Sequence, residues 1–147
     1  KAVLILVTGP KDADRKVLGK ALEARLFNDG RFVYFLGIGN VLYGVDADID
    51  RGKENRREHM RRLAEVANLM LDAGVMLIVT AAELTLEDLE IIRTTVAPDS
   101  IETVWAGDTL TTDLAADLNL PEAAPVDEAV DQIKRRLQDQ GTIFRPR

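Results

Sequence analysis

Three apolar stretches, residues 2–8, 31–36 and 75–80, restrict the fold of this 147-residue chain more than any other feature. They are continuous runs without period-two alternation, the pattern of strands buried on both faces of a parallel sheet. Between them apolar residues recur at helical spacing. Val17, Leu18, Ala21, Leu22, Leu26 and Phe27 mark one helix; Met60, Leu63, Ala64, Ala67, Met70 and Leu71 mark another over about 53–73. Asn28, Asp29 and Gly30 supply the first stop, and Gly74 the second C-cap.

The second half repeats the alternation more weakly. Thr85 before Glu87 and Asp88 predicts an N-cap and an acidic first turn, for a helix to about residue 95. Residues 101–106 read as a short strand and 109–118 as a short helix or turn. Pro121 and Pro125 mark 119–125 as a connector. Val126, Ala129, Val130, Ile133 and Leu137 make a closing helix before Gly141. The expectation is a three-layer α/β/α parallel-sheet domain spanning 1–147.

Composition bounds the function classes. Hydrophobic content of 46% with 30% charged residues is that of a globular domain. No apolar run approaches the roughly 18 residues of a membrane span. Zero cysteines exclude disulfides and thiolate metal sites and agree with a cytoplasmic location. A net charge of −6 argues against nucleic acid as the partner. A chain starting at Lys1 predicts a piece of a longer polypeptide.

Ligands of such sheets bind beyond the carboxyl ends of the strands, which singles out residues 9–16, 37–52 and 80–85. A phosphate loop reads G-x-x-x-x-G-K-[S/T]. Here Gly9 holds the first place, and Asp14, Arg15 and Lys16 hold the last three. Arg15 offers charge where lysine would stand, Asp14 brings a negative side chain, and Lys16 cannot hold magnesium as a hydroxyl does. Lys11, Arg15 and Lys16 could bind phosphate at the helix start; Asp12 and Asp14 would cap that helix and oppose it. Lys53, Arg56, Arg57, Arg61 and Arg62 form either an anion site or a solvated face. Asn40 reads as a nucleotide contact or a left-handed turn residue, and His59, the one histidine, as a pH-sensitive ligand or a structural group. Asp46, Asp48 and Asp50 read as a solvated acidic loop, and no metal site is expected. Trp105 belongs in the core or at a sheet edge.

One stretch carries a family pattern. Arg56, Arg57, Glu58, His59, Met60, Arg61, Arg62, Leu63, Ala64, Glu65, Val66, Ala67, Asn68 and Leu69 resemble D-R-x-E-N-I-R-R-x-A-E-V-A-K-L of adenylylsulfate (APS) kinase, followed like it by Ala73, Gly74 and an apolar strand. Upstream, Gly37, Ile38, Gly39, Asn40, Val41, Leu42, Tyr43 and Gly44 stand where the family has D-G-D-N-V-R-H-G. The resemblance implies a P-loop-kinase-like fold, a homodimer, and phosphate transfer from MgATP to the 3′ hydroxyl of adenosine 5′-phosphosulfate. It places Gly9, Arg15 and Lys16 in the phosphate loop and Asn40, Arg56 and His59 against the sulfonucleotide.

The departures from that pattern fall on chemistry. Gly37 and Gly39 replace both aspartates, the obvious general base among them, and Leu42 replaces the arginine. After Thr80 the family's A-F-I-S-P-F-R gives way to Ala81, Ala82, Glu83 and Leu84, and the interval from Asp108 to Val126 is too short for the family's lid. The expectation is an APS-kinase-like domain linked to sulfate activation, with a degenerate phosphate loop and no catalytic residue. It would act as a nucleotide- or sulfonucleotide-binding, regulatory or structural domain, with a sulfurylase-type domain in the same polypeptide as a candidate partner. The alternative is an active adenylylsulfate kinase that uses Arg15, and only that reading requires ATP and magnesium. A third is a protein-interaction domain with an exposed apolar dimer face.

Overall fold

Leu4–Gly9 (β1) is buried along its whole length and forms the middle of the sheet, pairing in parallel with Met76–Ala82 (β3) on one side and Ile101–Ala106 (β4) on the other. The computed structural model describes residues 2–38 and 49–143, with 49, 50, 51 and 53 described by backbone alone. Val33–Gly37 (β2) and Leu118–Leu120 (β5) complete the order β2-β3-β1-β4-β5, every pair parallel. Asp12–Asn28 (α1), Ile49–Asp72 (α2), Leu86–Arg93 (α3) and Val126–Asp139 (α4) connect or follow the strands.

The continuous apolar runs are explained by two cores, one on each face. Leu4, Leu6, Leu77, Val79 and Trp105 pack with Met60, Leu63 and Ile92 from α2 and α3. Ile5, Val7, Ile78 and Val104 pack with Leu18, Leu22, Ile133 and Leu137 from α1 and α4. Each fully buried Leu or Ile contributes about 1.5–3 kcal/mol relative to exposure. Trp105 is in the core at 0% exposure. Gly19 lets α1 lie close to the sheet, since a Cβ there would come within 2.5 Å of the Phe35 ring.

Three helices end in one way. Gly30, Gly74 and Gly141 take φ of 84°, 83° and 75°. After each, a second amide reaches back five residues, Arg31 to Leu26, Val75 to Met70 and Thr142 to Leu137, which satisfies the last carbonyls. Thr85 begins α3 with a reciprocal cap: its hydroxyl accepts from the Asp88 amide and the Asp88 carboxylate accepts from its own.

Several expectations need correction. The stretch 31–36 reads as a buried strand, but β2 is the sheet edge and Tyr34 is 52% exposed. Residues 119–125 are not purely a connector, because Leu118–Leu120 is a fifth strand beside β4. No helix forms over 109–118. The second helix begins at Ile49, ahead of the start at about residue 53 expected from the spacing, so Asp50 lies in the helix and not in a loop.

Candidate functional site

At the carboxyl end of β1 the backbone turns at Gly9 with φ 148°. A Cβ there would lie 2.2 Å from the Ala106 carbonyl oxygen, so the close approach of β1 and β4 requires glycine. Lys11 is the N-cap of α1, and no side chain caps it. Asp12 and Asp14, expected from sequence to cap this helix, do not do so; they occupy its first turn. The hydrogen bond from Lys16, aided by the charges of Lys16 and Arg15, holds the Asp12 carboxyl below its usual range.

Arg15 points inward and is 2% exposed. Its Nη1 donates to the Gly9 carbonyl at 2.7 Å and its Nη2 to Asp12 Oδ1 at 3.1 Å. Its Nε is buried without a hydrogen-bond partner among the described residues. Lys16 instead lies on the surface, 3.1 Å from Asp12 Oδ2.

Arg56 is also turned onto protein. Its Nε lies 3.1 and 3.2 Å from the two Asp88 oxygens, and its Nη2 donates to Asp88 Oδ2 at 2.7 Å. Asp88 is thus both the cap of α3 and the anion that fastens α2 to it. Arg57 pairs with Glu87 and Arg62 with Glu58 at the surface. His59 is half-buried, and its Nδ1 is without a partner among the described residues. Asn40, Gly39, Leu42, Asp46 and Asp48 lie outside the described residues. No group of three or more metal-ligating side chains occurs among the described residues.

The two arginines meet through a residue that sequence reading passed over. Glu83, just past β3, has a left-handed φ of 39°, uncommon outside glycine. Its amide donates to the Gly9 carbonyl at 3.3 Å and its carbonyl accepts from Arg56 Nη2 at 3.3 Å. Its carboxylate accepts from Thr111 at 2.9 Å. Residues 107–117, between β4 and β5, are tied down by further bonds. Thr112 donates to the Leu84 carbonyl at 2.7 Å, Asp113 accepts from the Leu86 amide at 2.9 Å, and the Trp105 indole donates to the Thr109 carbonyl at 3.1 Å. No motif marks Glu83 or Asp113, because each meets partners distant in sequence that only the fold brings together.

Beside this network, between the start of α1 and the β5–α4 connection, lies a cavity of about 140 Å³. Val17, Leu18, Leu120, Pro121, Val126 and Ala129 give it apolar walls, and Asp14 and Glu122 also line it. Lys11 pairs with Glu122.

A family model described as adenylylsulphate kinase matches residues 1–106. The adenylyl-sulfate kinase of Clostridium kluyveri is 34% identical over 100 residues, 68% of this chain and 50% of that protein, so the chain spans about half the length of this curated relative. A mutant of the Mycobacterium tuberculosis APS kinase CysC superposes with TM-score 0.76 at 24% identity, covering 94% of this chain and 98% of that one. The same enzyme in complex with AMPPNP and APS gives 0.73 at 20% identity, covering 94% and 98%. At these identities the structures speak to the fold alone.

Proposed function

This chain belongs to the adenylylsulphate kinase family, and we propose that it is a catalytically silent member, an APS-kinase-like domain linked to sulfate activation that binds an adenine nucleotide or sulfonucleotide without transferring phosphate. The observation that carries this reading is the buried Arg15 guanidinium on the Gly9 carbonyl. Phosphate transfer is catalysed almost wholly by positioned positive charge and metal. Here the cation nearest the phosphate-lysine place is spent on the loop's own backbone. Lys16, the neighbouring candidate, faces Asp12.

The reading extends to the rest of the candidate set. Arg56, held by Asp88, serves as a scaffold between α2 and α3, with His59 and Asn40 left as the sulfonucleotide contacts. Residues 1–147 form one domain and work in the cytoplasm; among the described residues no helix is long and apolar enough to cross a membrane. Half-exposed Tyr34 on the edge strand β2 supports a homodimer, and a sulfurylase-type domain is the fitting covalent partner.

The test is turnover. Protein at high concentration is incubated with APS and MgATP and assayed for phosphorylated APS, beside calorimetric titrations of ATP, APS and that product. The expected result is binding of at least one ligand with no turnover. Product formation that disappears in Arg15→Ala would establish the alternative, an active kinase with an atypical loop.

A further inference from the structure

The outer edge of β2 is complementary to itself. We propose that two copies of this chain join β2 to β2 as an antiparallel pair about a two-fold axis at Phe35, so that their five-stranded sheets run on into one another. The inference rests on the homodimer reading and assigns that dimer its interface.

The main chain supplies the first argument. The Phe32 carbonyl accepts from the Met76 amide at 2.8 Å, and the Ile38 amide donates to the Thr80 carbonyl at 2.9 Å. Within a strand the amide and carbonyl of one residue point the same way, and that direction alternates from residue to residue. Phe32, Tyr34, Leu36 and Ile38 therefore bond towards β3, and Val33, Phe35 and Gly37 turn both groups outward. No strand lies on that side among the described residues. With Phe35 on the axis, Phe35 faces Phe35 and Val33 faces Gly37 of the second copy, and every outward group of the strand is bonded. A register moved by two residues leaves Val33 or Gly37 without a strand partner.

The side chains agree with the same register. Tyr34 and Leu36 align with Leu77 and Val79 of the core beneath α2, so by alternation Phe32 and Ile38 lie on that face too. In the pair Tyr34 stands opposite Leu36 of the second copy, and Phe32 opposite Ile38 of the second copy. Phe32 is 81% and Tyr34 52% exposed, so both leave water on pairing. Residues 33–37 carry no lysine, proline or charge, the usual means by which an edge strand is kept from pairing. Lys20 lies over the Phe35 ring on the other face, but Glu23 stands 4.0 Å from it and offsets its charge. The opposite edge, β5, is three residues long and offers too short a ladder.

The experiment is sedimentation equilibrium of the full chain over a wide concentration range, with Val33→Pro and Tyr34→Lys beside the unaltered protein. Val33→Pro removes an N–H that points away from β3, a change that an edge strand tolerates. Tyr34→Lys sets a charge opposite Leu36 of the second copy. A monomer–dimer equilibrium is expected, weakened about tenfold or more by either variant, with the far-ultraviolet circular dichroism of the monomer unchanged. The Val33, Phe35 and Gly37 amides are expected to exchange more slowly as concentration rises. If Val33→Pro does not fold, Tyr34→Lys decides. A chain that is monomeric at every concentration overturns both this proposal and the homodimer reading. A dimer equally tight in either folded variant, or one whose Val33, Phe35 and Gly37 amides exchange as fast as in the monomer, overturns the β2 pairing and leaves the homodimer reading standing.

Discussion

The Arg15 guanidinium and the Glu83 amide converge on one acceptor, the carbonyl of Gly9, at 2.7 and 3.3 Å. The end of β1 and the residue just past β3 are thereby tied to a shared oxygen. Arg56 reaches the carbonyl of the same Glu83 at 3.3 Å, which extends the network from α1 to α2.

Arg15→Met removes that charge while keeping most of the buried volume. A hydrogen bond to a charged group contributes about 1.5–3 kcal/mol. A loss of about that size is expected in urea unfolding, with an unchanged slope. Arg15→Lys keeps the charge without the planar fork, so an intermediate loss is expected. Stability equal to the unaltered protein in Arg15→Met would mean that the bond contributes nothing to the loop.

Asp88 offers a sharper separation of roles. Its side chain is 4% exposed and carries both the Arg56 pair and the amide of Thr85. Asp88→Ala takes the carboxylate away from a mostly buried guanidinium, a change that costs about 3–5 kcal/mol when one partner of a buried pair is removed. Asp88→Asn keeps an oxygen for the Thr85 amide and is expected to cost less. Arg56→Ala in either background completes a double-mutant cycle, and a coupling near zero would refute the pair.

How much of this was legible in the sequence depends on where each element's information resides. β1 and β4 are read to within a residue or two because burial on both faces demands uninterrupted apolar runs. β2 carries the same residue types, yet lies at the edge, and strand order cannot be read from composition. β5 is three residues with Asn119 at its centre, too short to show a period. The cap at Thr85 is visible because its mechanism is local. Arg15 and Glu83 are not, since one turns inward on a rotamer and the other takes φ 39°, and neither leaves a mark on spacing.

Gly9→Ala tests the close approach of β1 and β4. The new methyl would sit 2.2 Å from the Ala106 carbonyl oxygen, a backbone atom held by the β4–β5 pairing. It would also stand on a φ of 148°, which L-residues rarely adopt. Since no flexible side chain can yield, a loss above about 4 kcal/mol is expected, at the severe end for single substitutions. Thermal unfolding within a few degrees of the unaltered protein would show that the two strands separate more easily than this contact implies.

Glu102 sets a pH dependence of its own. It lies on β4 facing α4, where Arg136 Nε approaches to 2.5 Å and Arg136 Nη2 stands 3.7 Å from Asp117. Burial pushes the Glu102 carboxyl above its ordinary value of 4.5, Asp117 adds to the rise, and the bond from Arg136 only partly offsets it. The folded protein therefore takes up this proton before the unfolded chain does, so acidification from neutral pH towards 4.5 stabilises the fold through this one group. Arg136 is also raised, chiefly by the Glu102 bond, so its contribution is complete at neutral pH and below and fades only in strong base. In Glu102→Gln the acid-side gain is absent. Unfolding free energies of the two proteins, compared from neutral pH to about 4.5, should show the unaltered chain gaining on the variant as pH falls. The opposite slope would mean that the Arg136 pair outweighs the burial of the carboxylate.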